Sequence, residues 1–155
     1  VAKRRIRIMT PYFLPDRSLI NALNLAAMRG VEVDILLPAH NNLPFVHWAM
    51  MGQLWQVLGH GCRVWFSTGA FDHSKLMVVD ETWVFLGSAN WDPRSLRLNF
   101  EGNLECYDSR LAVALDERVA ARIRAARPCS LVDVDARSLP IKLRDGIARL
   151  FTPFL

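Results

Sequence analysis

The apolar positions of this chain fall into short runs whose period changes along its length. Arg5–Met9 alternates polar and apolar residues, which predicts a strand with one buried face. Asp16 stands where an N-cap belongs, ahead of a helix through about residue 29 that Gly30 ends. Residues 31–37 read as an apolar strand closed by Pro38. This strand–helix–strand order predicts parallel pairing in a buried sheet with helices on its faces. A helix over 43–58 and a strand over 63–66 follow. Next come two strands around a short turn at residues 80–82: Leu76, Met77, Val78 and Val79 lead into it, and residues 83–86 lead out. A strand over 101–107 precedes a helix capped by Asp108 or Ser109 and running to about residue 127, with Leu111, Leu115, Val119 and Ile123 in one row. A Pro-containing linker leads to a short last helix near 141–150. The expected fold is one α/β/α sandwich over residues 1–155, with a mixed, largely parallel sheet and no internal repeat.

The 43–58 segment is more apolar than a sheet-covering helix needs. Asn42, Ala49, Gly52, Gln53 and Gln56 form a narrow, weakly polar side. Phe45, Trp48, Met50, Met51, Leu54, Trp55, Val57 and Leu58 take up most of the rest. Either the helix is deeply buried in this domain, or Trp48, Met51 and Trp55 face a second half-domain or lipid.

Composition narrows the classes. At 155 residues with 52% apolar content, the chain can bury a real core and is not a disordered segment. Lys and Arg number 19 against 15 Asp and Glu, a net charge of +4. That balance favours anionic partners without choosing between phospholipid and nucleic acid. Cys62, Cys106 and Cys129 are odd in number and lack metal-ligand spacing; Cys62 and Cys106 read as small buried hydrophobes, and a reducing compartment is expected. No run reaches the roughly 20 apolar residues that cross a bilayer, and no signal peptide opens the chain. Because it opens on Val1, an upstream portion is expected.

The chemistry concentrates in residues 73–90. His73 and Lys75 flank Ser74, so on an extended chain both side chains share one face. Gly87, Ser88 and Asn90 follow the next strand and come near the same strand mouths. An imidazole, an ammonium, a hydroxyl and an amide then converge, a set suited to an anionic phosphoryl group. His40, His47 and His60 have neither a Lys two residues on nor ligand spacing.

These residues fill every position of HxKxxxxDxxxxxxGSxN, with Asp80 as its Asp, and so resemble the phospholipase D superfamily. TPYFLPD at 10–16, RGVEVDILLP at 29–38 and NWDPRSLRLNFEGN at 90–103 are further similar to the C-terminal half of bacterial cardiolipin synthases, with a weaker echo in RLFTP at 149–153. The resemblance implies a phospholipase D-like half-domain and a catalytic set of His73, Lys75, Asp80, Ser88, Asn90 and Glu101. His73 Nε2 would attack phosphorus to give a phosphohistidine, with Glu101 as the acceptor that orients its ring. Lys75, Ser88 and Asn90 would hold the phosphoryl oxygens. Asp80, at the far end of its strand, suits a structural task such as capping the hairpin or pairing with a base. Asp72 is turned to the opposite face. Tyr12 and Phe13 would line the substrate entrance, and Arg94 would meet a substrate phosphate or pair with Asp92.

The resemblance implies no metal and no cofactor. It does imply a second copy of the signature, from an N-terminal half or from a second chain in a homodimer, to supply the general acid. The implied activity is phosphatidyl transfer from one phosphatidylglycerol to another, giving cardiolipin and glycerol, on the cytoplasmic side of the bacterial inner membrane. The alternative is a metal-independent phosphodiesterase or nuclease working as a homodimer. Nucleic acid is the less favoured partner, because no Lys/Arg stripe interleaved with aromatics occurs. A non-catalytic lipid-binding or subunit-interaction module is a third class, disfavoured by the intact set of five polar residues.

Overall fold

A computed structural model describes residues 2–154. Its elements run β1 (Arg5–Met9), α1 (Arg17–Met28), β2 (Glu32–Pro38), α2 (Pro44–Met51), α3 (Trp55–Leu58), β3 (Arg63–Ser67), β4 (Lys75–Val79), β5 (Trp83–Gly87), α4 (Pro93–Arg97), β6 (Asn103–Cys106), α5 (Ser109–Arg124), β7 (Arg127–Cys129), α6 (Leu131–Asp135) and α7 (Leu139–Leu150), with a 3-10 turn at Thr152–Phe154. The strands form one seven-stranded sheet in the order β6-β5-β4-β1-β2-β3-β7. Helix α5 covers one face, where Met9, Leu36, Leu76, Val78 and Val84 meet Ala112 and Val119. The other face buries Ile8, Val33, Ile35 and Val64 with Leu23, Met50, Leu54 and Val57 of the helical layer. The α/β/α sandwich and its mixed sheet are as expected.

The expected predominance of parallel pairing is corrected. Only β1–β2 and β2–β3 are parallel; β1–β4, β3–β7, β4–β5 and β5–β6 are antiparallel. The crossover helices that make parallel neighbours occur only between β1 and β3. After β3 the chain crosses without a helix and returns beside β1 in the opposite sense.

The expected 43–58 helix is two pieces separated by a turn at residues 52–54. Both of its sides are covered in part: Ala49 and Gln53 of the weakly polar side are buried, and so are Met50, Leu54 and Val57 of the apolar side. Gly52 lies against the α7 backbone, where a Cβ would stand 2.6 Å from the Asp145 carbonyl oxygen. Phe45 and Trp55 are exposed. Before the closing 3-10 turn, three elements escaped the sequence reading: α4, β7 and α6, the last opened by a Ser130–Asp133 capping box. The buried face of α5 is Ala112, Asp116 and Val119, with Leu111 exposed, and Cys106 is half-buried rather than buried.

The α5 face carries a buried ionic cluster. Asp34 accepts from Arg63 Nε at 2.8 Å, Arg63 Nη2 at 2.9 Å and Trp65 Nε1 at 2.9 Å, and Arg7 lies 3.6 Å away. Arg7 also pairs with Asp116 of α5. This ties β1, β2 and β3 to the covering helix.

Candidate functional site

Lys75 opens β4 and is only 7% exposed, its register partner being Gly87 at the end of β5. Its ammonium donates to the His73 carbonyl oxygen at 2.8 Å and lies 2.8 Å from His73 Nδ1. It also lies 3.3 Å from Nε2, so the ammonium stands beside the ring rather than in line with one nitrogen. The His73 ring is exposed, with the Tyr12 ring edge-on at 6.0 Å and the Phe71 ring at 5.8 Å. Tyr12 is anchored by its hydroxyl, which donates to Asn42 Oδ1 at 2.7 Å. What burial His73 has, and then the Lys75 charge, hold its pKa below 6.5, which favours the neutral ring. Burial also lowers the Lys75 pKa, against the opposing pull of Glu101, Asp92 and Asp72.

The strand that pairs with β5 shapes the rest of the site. A Cβ on Gly87 would collide with the Gly102 carbonyl oxygen and with Asn103, so only glycine lets β6 approach this closely. That approach lets Asn103 Oδ1 accept the Ala89 N–H at 3.2 Å and the Gly102 carbonyl accept the Ser88 N–H at 3.0 Å. The Ser88 hydroxyl donates to Glu101 and accepts the Gly102 N–H at 3.0 Å. Glu101 also accepts from Asn99 at 3.4 Å, and the Ser88 hydrogen bond leads the causes that depress its pKa.

Asn90 gives one amide hydrogen to Ser95 Oγ at 3.4 Å and keeps a second; its buried Oδ1 has no partner among the described residues. Asp92, buried at the N-cap of α4, accepts from Ser95 N at 2.7 Å and Ser95 Oγ at 3.2 Å. Burial raises its pKa. The Phe13–Trp91 bridge and the Leu14 N–H to the Trp91 carbonyl, 2.7 Å, bind the loop after β1 to this segment.

The structure therefore gathers His73, Lys75, Ser88, Asn90, Glu101 and Tyr12 at one end of the β1–β4–β5–β6 strands. Three expectations are corrected. Glu101 bonds Ser88 rather than the His73 ring, because β6 begins only at Asn103 and residues 99–102 fold back over Ser88. Asp80 lies at the opposite end of β4, where its carboxylate accepts the backbone N–H groups of Lys3 at 2.7 Å, Arg4 at 2.8 Å and Arg5 at 2.8 Å. It is therefore a structural cap, not a member of the catalytic cluster. Phe13 is 1% exposed and belongs to the core, so Tyr12 alone of the pair borders the site. Arg94 is exposed and makes no ion pair with Asp92, whose partners are Ser95 and the Arg94 backbone. Asp72 accepts from Ser74 N at 2.8 Å and pairs with Arg122 of α5 at 2.5 Å, on the far face as expected. Sequence reasoning gave Asp92 only as a partner for Arg94 beside the site, and missed Asn103 and Asn42. Only Asp92 carried a local signal, an N-cap followed by Pro93.

Residues 1–123 match the family model described as "Cardiolipin synthase, PLD-like domain". The chain belongs to this family. Cardiolipin synthase 1 of Staphylococcus epidermidis is 38% identical over 99% of this chain and 31% of its own length. The major cardiolipin synthase ClsA of Bacillus subtilis is 37% identical over 99% of this chain and 32% of its own. The chain thus spans about a third of the curated relatives it matches. Among solved structures, the phospholipase D family member Nuc of Salmonella typhimurium is 25% identical with a TM-score of 0.72, over 83% of this chain and 84% of Nuc. The phosphatidylserine synthase of Haemophilus influenzae shares the fold at 17% identity and a TM-score of 0.74, over 99% of this chain and 42% of that one. Every residue from Tyr12 to Asn103 discussed above lies within the matched region.

Proposed function

We propose that residues 1–155 form one phospholipase D-like half-domain of a phosphatidyltransferase that makes cardiolipin from two phosphatidylglycerol molecules. The observation that carries this is the likeness to cardiolipin synthases across 99% of the chain, with the His73–Lys75–Ser88–Asn90 set intact.

His73 Nε2 attacks phosphorus and a P–N bond forms as the P–O bond to glycerol breaks. The departing alkoxide takes its proton from a general acid, supplied by the second signature of an N-terminal half. The hydroxyl of a second phosphatidylglycerol then attacks phosphorus, the P–N bond breaks, and that group takes the proton back. Lys75 and the free hydrogen of the Asn90 amide hold the nonbridging oxygens. The substrate phosphate draws the Lys75 ammonium from the ring onto its own oxygens, and the ring attacks as the tautomer with Nδ1 protonated and Nε2 free. The depressed His73 pKa keeps the ring neutral for this step. Ser88 acts through Glu101 and Gly102, holding the loop that closes the site. Among the described residues no helix is long and apolar enough to cross a membrane. Attachment at the cytoplasmic face of the inner membrane therefore involves a surface of this domain or other parts of the protein.

A homodimeric, metal-independent phosphodiesterase is the second reading. It is favoured by one observation, the cover of 84% of Nuc by a chain of this size.

The test supplies phosphatidylglycerol vesicles to the natural-length protein in excess EDTA and follows cardiolipin by mass spectrometry, with trapping of labelled, acid-labile phosphohistidine under alkaline denaturing conditions. Cardiolipin formed by the wild type and not by His73→Ala supports transfer. Phosphatidic acid without cardiolipin, at a rate per chain that climbs with protein concentration, selects the second reading.

A further inference from the structure

Helix α7 turns its apolar side away from the protein. Leu139, Leu143, Ile147 and Leu150 are 79%, 63%, 50% and 75% exposed. At about 100° per residue they span an arc of roughly 80°. The side toward α2 is formed by Asp145 and Ala148, both buried. An apolar arc pointing outward is the reverse of what a helix covering a core requires.

The charges on α7 show what the arc faces. Arg144 flanks it on one side, Lys142 and Arg149 on the other. Its single acid, Asp145, is fully buried and neutralised by Arg137 and Arg144, the latter at 2.8 Å. The outward surface of the helix is thus apolar with basic margins and carries no exposed acid of its own. That is the pattern of a helix lying in a lipid–water interface, with apolar side chains among acyl chains and bases at the level of anionic head groups.

Two cavities extend the surface. One of about 440 Å³ is lined by Phe45, Trp48, Pro140, Leu143, Arg144 and Ile147, and opens beside the arc. It is apolar except for the Arg144 guanidinium, which stacks 4.5 Å over the Trp48 ring. The other, about 580 Å³, runs from Arg149 and Leu150 at the end of α7 to Pro93 and Leu98 of α4, the helix that Asp92 caps at the site. Phe45 and Phe151 close the corner between α2 and the chain after α7, with ring centroids 5.7 Å apart.

We infer that the outward face of α7 is a membrane-contact surface that lays Leu139, Leu143, Ile147 and Leu150 into an anionic phospholipid monolayer. This deepens the proposed function and rests on it for the choice of phosphatidylglycerol as the anionic lipid. Docking through α7 brings the α4 side of the site to the bilayer, so that lipid enters without leaving the interface.

The test places an environment-sensitive NBD label at Leu143→Cys in the natural-length protein. Cys106→Ser removes the half-buried thiol; Cys62 and Cys129 are buried, and burial pushes the Cys62 thiol up to about 11, so neither labels. Vesicles containing phosphatidylglycerol are expected to blue-shift and brighten the probe at 143 several-fold, and nitroxide-bearing lipid to quench it. Both effects weaken in high salt, and a probe at Glu117→Cys on α5 does not respond. A probe at 143 that stays unchanged while the protein binds vesicles overturns the inference. So does a probe already shielded without lipid, which assigns the arc to another protein surface. In a second arm, Leu143→Ser with Ile147→Ser is expected to weaken vesicle binding more than tenfold while leaving turnover of soluble short-chain phosphatidylglycerol unchanged. Unchanged vesicle binding by this variant counts against the inference. A docked probe in a protein that makes no cardiolipin overturns the proposed function and leaves the docking surface standing.

Discussion

The Lys75 ammonium lies 2.8 Å from Nδ1 of His73 and 2.8 Å from the same residue's carbonyl oxygen. It also lies 3.3 Å from Nε2, so one side chain puts its charge beside both nitrogens of the ring. An anion that draws the ammonium away uncovers the ring for attack.

Imidazole ¹⁵N NMR reads this directly. Saturation with a phosphate-mimicking oxyanion, which draws the Lys75 ammonium off the ring, is expected to shift the His73 ring resonances. Lys75→Met removes the charge that helps depress the His73 pKa, so that pKa is expected to rise toward 6.5. With the transition-state charge left uncompensated, kcat is expected to fall by about 10²–10³. A His73 pKa unmoved by Lys75→Met contradicts the assignment.

The pH profile follows from the same pair. His73 must be neutral to attack, and its folded pKa lies below 6.5. The acid limb of kcat/KM is therefore expected below pH 6.5. Lys75 must be charged, and its pKa lies below 10.5, so the alkaline limb is expected below that value. An acid limb above 6.5 that persists in Lys75→Met indicates a different titrating group.

Asp80 separates structure from catalysis. Its three backbone hydrogen bonds hold the segment before β1, and Asp80→Ala removes them, leaving the Lys3 and Arg4 N–H groups to water, at a cost of about 1 kcal/mol. Its folded pKa is depressed below 3.8, so its contribution is complete above pH 3.8 and disappears as pH falls through the lower folded value. Urea unfolding of wild type and Asp80→Ala is expected to differ at pH 7 and converge in strong acid. Turnover under conditions where the variant is folded is expected to match wild type, and a hundredfold loss there returns Asp80 to the catalytic set.

Two glycines predict opposite signs. At Gly87 a Cβ meets the β6 backbone, so Gly87→Ala is expected to destabilise by about 1–3 kcal/mol and to disturb the Ser88–Glu101 contact. At Gly146, inside α7, a Cβ meets nothing within 4 Å, so Gly146→Ala is expected to stabilise by about 0.5–1 kcal/mol. Urea midpoints of both variants check the pair.

The ionic cluster under α5 supplies one more. Asp34→Ala removes the shared acceptor of Arg63 and Trp65 and takes a carboxylate from beside Arg7, whose side chain is only 11% exposed. The expected loss is about 3 kcal/mol in urea unfolding, with the His73 titration unmoved. A loss under 1 kcal/mol means that Asp116 alone satisfies Arg7.

Much of the fold was legible along the chain because its signals are local. Alternation marked β1, the Asp16 cap and Gly30 bracketed α1, and the fixed interval from His73 to Asn90 set a hairpin whose register brings Lys75 opposite Gly87. Such spacings survive folding because neighbouring residues on a strand or helix keep their geometry wherever the element is placed. What tertiary structure alone decided involved partners distant in sequence. Asp80 became a cap because the chain start lies beside its turn, and Glu101 turned to Ser88 because β6 presses against Gly87. Part of the weakly polar side of the 43–58 segment was covered as well because α7 packs there, Gly52 meeting the Asp145 carbonyl from more than 90 residues away along the chain. No periodicity within one segment records which other segment will cover it, so the sequence defined the reacting groups and packing determined their partners.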